Sequence, residues 1–168
     1  MNFLESQYPN EIAAVQNPAL GAYAVWKFGL AYHSRENAEP TLPLVFLVLP
    51  LLLHGPTRDL ILKTHKVSGM ALFAGKLGEC REDLLAIHDR ALQLRELTLE
   101  SLAMGERGRL FTLNLDDASI RAHPLASDVG SVELPDGLKW LAPACERLGY
   151  WFAGISDEQV ARTLCVDF

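Results

Sequence analysis

Leu42-Pro43-Leu44-Val45-Phe46-Leu47-Val48-Leu49-Pro50-Leu51-Leu52-Leu53, followed at once by His54-Gly55-Pro56-Thr57-Arg58, decides how this chain folds. Twelve uncharged, almost wholly apolar residues fall short of the roughly 20 needed to span a bilayer. The run therefore reads as the buried centre of a globular domain, or as a strip covered by a partner. Its length and leucine content favour a helix buried on all sides, Leu42–Leu53, with Pro43 in the first turn. Pro50, eight residues in, should kink that helix or end it near Leu49. Gly55 closes the run, and Pro56 suits the first turn of a following short helix over Thr57–His65, with Leu60, Ile61 and Thr64 inward. Together residues 43–65 make a tight helix–turn–helix core.

Upstream, residues 1–16 read as an irregular lead-in, and their opening lacks the basic-then-apolar pattern of a signal peptide. Asn17 and Pro18 form a helix start, and Leu20, Tyr23, Ala24, Phe28 and Ala31 recur at helical spacing over 18–33. Residues 34–41 are loop-like. Downstream, 68–79 is a weak helix with three glycines. Glu82–Met104 has no Gly or Pro and a wide apolar face, which predicts one long helix stopped by Gly105. Residues 109–114 and 118–123 flank Leu115-Asp116-Asp117 as a β-hairpin, within about 108–123. Pro124–Asp136 is a loop, and Gly137–Phe152 a last helix with Pro143 near its start. Val160–Phe168 is apolar enough to dock as a strand or helical turn. No internal repeat, low-complexity tract or linker interrupts this order. The reading is one domain over 1–168, α+β and predominantly helical, winged-helix-like with one hairpin.

The chain has 168 residues and a net charge of −6, which supplies no general attraction to nucleic acid. Three arginines face five acids between Arg81 and Met104, and residues 105–123 carry three of each, so the helix and wing of a DNA reader are not basic here. A winged-helix DNA-binding regulator is nevertheless the alternative function, from the helix–turn–helix and hairpin alone. Cys80, Cys145 and Cys165 form no CxxC or zinc-spaced pair and read as free thiols of a reducing compartment, the cytoplasm by default.

Few residues suggest chemistry. His54 with Thr57 and Arg58 is the most site-like cluster, since a helix start at Thr57 would offer N–H groups to an anion. The glycine-rich loop and lysine of a phosphate cradle are missing, and Thr57 as a simple cap with Arg58 and Asp59 in solvent competes. His88 with Asp89, Glu82 and Asp83 lacks a nucleophile at helical spacing. A hydrolase would need a fold that joins His54 to a carboxylate distant in sequence. His33 and His123 sit in loop positions, His65 and Lys66 on the surface. Serines 101, 119, 127 and 131 lack a nucleophile-elbow context. Asp116 and Asp117 lack the further ligands of a calcium loop and read as a turn. Trp26, Phe28, Trp140, Tyr150, Trp151 and Phe152 lie at helical spacings; such residues fill cores and anchor interfaces alike.

Asn17-Pro18-Ala19-Leu20-Gly21-Ala22 with Trp26-Lys27-Phe28, the Leu42–Arg58 stretch, and Leu148-Gly149-Tyr150-Trp151-Phe152-Ala153 resemble, in that order, the middle component of bacterial three-component ABC systems, related to the small subunit of Lamassu-type antiphage defence. The Leu42–Arg58 stretch is the specific part. The tail departs from that pattern, with Cys165-Val166-Asp167-Phe168 where a Gly-Val-Arg-Pro-like ending is common. The resemblance implies a non-enzymatic adaptor joining an SMC-like ABC ATPase to an effector, often a nuclease. It implies no catalytic residue, cofactor or metal, DNA reached through the complex, and no membrane. Trp26, Phe28, His54, Thr57, Arg58 and Trp151 are the candidate partner-interface residues.

Overall fold

The computed structural model describes residues 16–168; the expected lead-in, but for Gln16, lies outside them. Helix α1, Pro18–Glu36, begins where Asn17 caps the Ala19 N–H at 2.8 Å and ends at Asn37 in the left-handed region (φ 53°). It runs three residues past the expected end, so His33 is helical rather than in a loop. Nine of its residues are buried, because it is sandwiched between α8 (Arg95–Arg107) and α9 (Leu141–Ala153), its most extensive packing partner.

Close approach on both sides depends on glycine. A Cβ on Gly149 of α9 would lie 2.4 Å from the Phe28 carbonyl oxygen, and one on Gly21 of α1 would overlap the Ser101 hydroxyl of α8. Across the α1–α9 seam Phe28 meets Phe152 edge-on at 5.6 Å.

The apolar run forms two short helices, α2 (Leu42–Val45) and α3 (Val48–Leu52), broken at Phe46–Leu47. The break falls four residues ahead of Pro50, because a proline ring clashes with the carbonyl four residues earlier, here that of Phe46. Pro50 thereby occupies the first turn of α3, where no N–H is needed. Leu44, Val45 and 47–52 are buried, whereas Leu42, Pro43, Phe46 and Leu53 remain partly open, so burial is not complete on all sides. Helix α4, Gly55–Lys63, starts two residues ahead of Thr57 and turns 101° from the run before it. Among the described residues no single helix is long and apolar enough to cross a membrane.

A 3-10 turn (Lys66–Ser68) leads into α5, Gly69–Gly78. The long helix expected over 82–104 is instead three: α6 (Arg81–Leu85), α7 (Ile87–Gln93) and α8. At the first break the Asp83 carbonyl, which a continuous helix would offer to Ile87, accepts the Arg90 guanidinium at 3.1 Å. At the second, the Thr98 hydroxyl bonds the Leu94 carbonyl at 3.0 Å, a back-bond that bends helices. Gly105 is no stop: α8 runs on to Arg107, and the missing side chain makes room for the Phe111 ring, 2.2 Å from where a Cβ would sit.

Strands β1 (Phe111–Asn114) and β2 (Ser119–Ala122) pair antiparallel, Phe111 opposite Ala122, as the hairpin reading expects. Asn114 Oδ1 accepts the N–H groups of Asp116 and Asp117 at 3.1 and 3.4 Å, which fixes the turn those acids form. Thr41 bridges to Ser119, tying the entry of α2 to β2. After a loop and a second 3-10 turn, α9 carries Pro143 in its first turn. The tail folds as α10, Asp157–Leu164, started by a Ser156–Gln159 capping box, and no strand forms there. The fold is thus predominantly helical with one two-stranded hairpin; the arrangement does not establish the winged-helix likeness.

Candidate functional site

Four of the six residues expected at an interface are interior. Trp26, Phe28, Thr57 and Trp151 are 4%, 0%, 0% and 1% exposed. The indole N–H of Trp26 donates to the His123 carbonyl at 2.7 Å, and that of Trp151 to the Lys66 carbonyl at 2.8 Å, while Trp151 stacks on Phe73 at 5.2 Å. Each buried indole thus has the partner it needs, and these side chains hold elements together. Arg58 lies over the Trp140 ring at 4.5 Å with its Nε 3.8 Å from Asp59 Oδ1, so it is partnered rather than free in solvent.

His54 sits where three elements meet. Its Nδ1 is 2.7 Å from Thr57 Oγ1, and its Nε2 is 3.6 Å from Asp83 Oδ1 on α6. The fold therefore joins His54 to a carboxylate distant in sequence, in the order hydroxyl, imidazole, carboxylate. Burial, helped by the Arg90 charge and opposed by Asp83, holds the imidazole below its ordinary value, so the contact to Asp83 is no ion pair at neutral pH. The Thr57 hydroxyl is wholly buried, and no substrate carbonyl reaches it in this conformation. Thr57 serves as an internal tie between α4 and His54 in the α3–α4 turn rather than as a helix cap. Arg90 lends α7 to the same junction, with its Nε buried and unpartnered among the described residues.

The other titratable candidates are dispersed. His88 Nδ1 accepts the Asp167 N–H at 3.4 Å, and His123 Nε2 lies 2.8 Å from Thr112 Oγ1. Among the described residues no three His, Cys, Asp or Glu side chains converge to hold a metal. Cys145 is fully buried and its thiol is pushed far up by desolvation; Cys80 and Cys165 are exposed and unpaired with each other.

One remaining surface feature is apolar. A groove of about 350 Å³ runs between α2, α7 and the tail, walled by Leu42, Pro43, Phe46, Ala91, Leu92 and Phe168, with His88, Arg95 and Asp167 at its margins. Leu92 and Phe168 are 59% and 58% exposed. Beside it Leu85 and Leu99 also face outward from α6 and α8. Counting Leu85, Leu92 and Leu99 into the wide apolar face of 82–104 hides this. The signal that separates them is spacing: Leu84, Ala91 and Thr98 turn inward, and the leucines one position later turn out. The folded chain offers an apolar surface for docking on which Phe168 is exposed, while Trp26, Phe28 and Trp151 are spent on the interior.

Against known proteins, residues 5–168 match the model of the family ABC-three component (ABC-3C) system Middle Component 3, and the chain belongs to that family. No curated protein and no solved structure matches the chain.

Proposed function

We propose that this middle component is a non-catalytic adaptor. It bridges an SMC-like ABC ATPase and an effector subunit, with a nuclease as one effector class, in a cytoplasmic antiphage or anti-plasmid defence complex related to Lamassu. The family match across nearly the whole chain carries the reading, since a middle component works within a system of several parts. The physical surface supports it. Leucines and a phenylalanine held in water around an open groove gain roughly 25 cal/mol for each Å² of apolar area that a partner covers. The buried Thr57 hydroxyl gives the His54–Asp83 alignment a structural use, which fits a subunit that leaves chemistry to others. On this reading ATP hydrolysis and DNA contact belong to the partners, and the chain itself needs no cofactor or membrane.

Co-expression with the ABC ATPase component of the same system is the test. Pull-down on a tag carried by the ATPase is expected to retain this chain at fixed stoichiometry. A chain that stays alone in the presence of a folded, ATP-binding neighbour refutes the adaptor role.

A further inference from the structure

We propose that the lysines around the α4–α5 turn receive an acidic segment of another protein component of the system, its carboxylates set about an aliphatic side chain. Residues 60–78 hold no Asp or Glu but carry Lys63, His65, Lys66 and Lys76, in a chain whose net charge is −6. The fold gathers these charges at Thr64. That residue is 1% exposed, whereas Lys63, His65 and Lys66 beside it are exposed. Lys76 reaches back from α5 to donate to the Thr64 hydroxyl at 3.3 Å, and Arg147 of α9 donates from Nε to the Thr64 carbonyl at 3.1 Å. Lys66 Nζ lies 4.9 Å from the centre of the Tyr150 ring, which Arg35 of α1 covers at 4.2 Å. Among the described residues Lys63, Lys66, Lys76 and Arg147 make no ion pair, whereas Lys27, Arg58, Arg121 and Lys139 each do. Like charges thus stand together uncompensated on an otherwise acidic chain, and a partner's carboxylates relieve their repulsion.

Charge and apolar surface together select a protein segment over a nucleic acid. Val67, next to Lys66, is 86% exposed, and Leu72, one helical turn ahead of Lys76 on α5, is 45% exposed. A phosphate backbone offers nothing apolar to cover them, whereas an aliphatic side chain of a partner does. The guanidinium groups, which suit phosphates best, are occupied. Arg147 is held by the Thr64 and Pro143 carbonyls at 3.1 and 3.2 Å, and Arg35 by the Tyr150 carbonyl and Glu36. The lysines left over are fewer than the roughly 6–10 phosphate contacts that give duplex-binding proteins their steep salt dependence. The inference rests on the adaptor reading and gives it the second surface that bridging requires, since none of these residues lines the apolar groove.

The test uses the full chain co-expressed with the other components of the system, one of them tagged. A water-soluble carbodiimide joins an amine to a carboxylate only where the two touch. Mass spectrometry of the treated complex is expected to find Lys63, Lys66 or Lys76 joined to an Asp or Glu of another component. The triple variant Lys63→Glu, Lys66→Glu, Lys76→Glu should weaken retention by that component about tenfold or more, and added salt should weaken the parent in the same direction. Lys76 is only half-exposed, so Lys63→Gln with Lys66→Gln, at two open positions, is the second variant. It should lose less, with native circular dichroism. Retention of both variants at parental strength, or cross-links from other lysines alone, overturns this proposal and leaves the adaptor reading standing. A parent chain that no component retains overturns both. Salt-sensitive binding of duplex DNA by the purified parent, lost in the triple variant, overturns it in favour of a nucleic-acid face.

Discussion

Gly149→Ala adds one methyl group where α9 comes closest to the backbone of α1. The new carbon would stand 2.4 Å from the Phe28 carbonyl oxygen, 2.8 Å from the Ala31 Cβ and 2.9 Å from the Tyr32 nitrogen. Two of these are backbone atoms of α1, which no side-chain rotation moves. A carbon needs about 3.3 Å from a carbonyl oxygen, so α1 and α9 must part by roughly 1 Å. That separation loosens the seam holding the Phe28–Phe152 pair, the largest packing surface in the fold. Overpacking of this kind costs about 3 kcal/mol, the upper end of its usual range. Replacing a helical glycine with alanine returns about 1 kcal/mol. The net loss of about 2 kcal/mol lowers the melting temperature by roughly 4–8 °C in a chain of this size. Gly75→Ala is the matched control: it too lies within a helix, but its Cβ meets nothing within 4 Å, so it should gain about 0.5–1 kcal/mol. Thermal melts of the two variants beside the parent decide the matter. A Gly149→Ala protein that melts at or above the parent temperature refutes the close-approach argument.

Leu47→Asp should abolish folding rather than spare the fold and abolish binding, because Leu47 is 3% exposed and an unpaired carboxylate there costs several kcal/mol; a purified variant with native circular dichroism and melting contradicts this. The lowered affinity of folded His54 for a proton fixes a pH dependence: its contribution is complete above the unfolded value near 6.5 and fades as pH falls through the folded one. The melting-temperature advantage of the parent over His54→Asn should therefore shrink between about pH 7.5 and 5, and a constant difference counts against it. An aromatic-disulfide titration of the native chain should modify Cys80 and Cys165 quickly and Cys145 only after unfolding; rapid modification of all three would show that the α9 core opens.

Local rules made much of this architecture legible. Asn17 as cap with Pro18 in the first turn marks the helix start, and the hairpin declares itself through two short runs and an acidic turn. The length of the helix through 82–104 was not legible, because its breaks arise from the Arg90 guanidinium on the Asp83 carbonyl and the Thr98 back-bond, neither of which periodicity records. Trp26, Phe28 and Trp151 were misplaced at an interface for a related reason. An aromatic residue at helical spacing has the same signature whether it meets another chain or its own, and only contacts such as Phe28 with Phe152 separate the two. The tie between His54 and Asp83 spans two helices and an intervening turn, beyond any motif. The outward leucines, by contrast, recur every seven residues in the sequence, and were obscured by counting Leu85, Leu92 and Leu99 into one wide apolar face with the inward positions.

The pairing of α1 with α9 also sets an order of events during synthesis. Helix α1 finds its principal partner only after more than a hundred further residues have been made. Until then Trp26, Phe28 and the leucines of α2 and α3 have no complete surface to settle on, and such long-range closure is slow compared with local winding. The nascent chain thus travels most of its length as a sticky intermediate. A version cut short before Leu141 should be held by chaperones or degraded, whatever remains of its hairpin and middle helices.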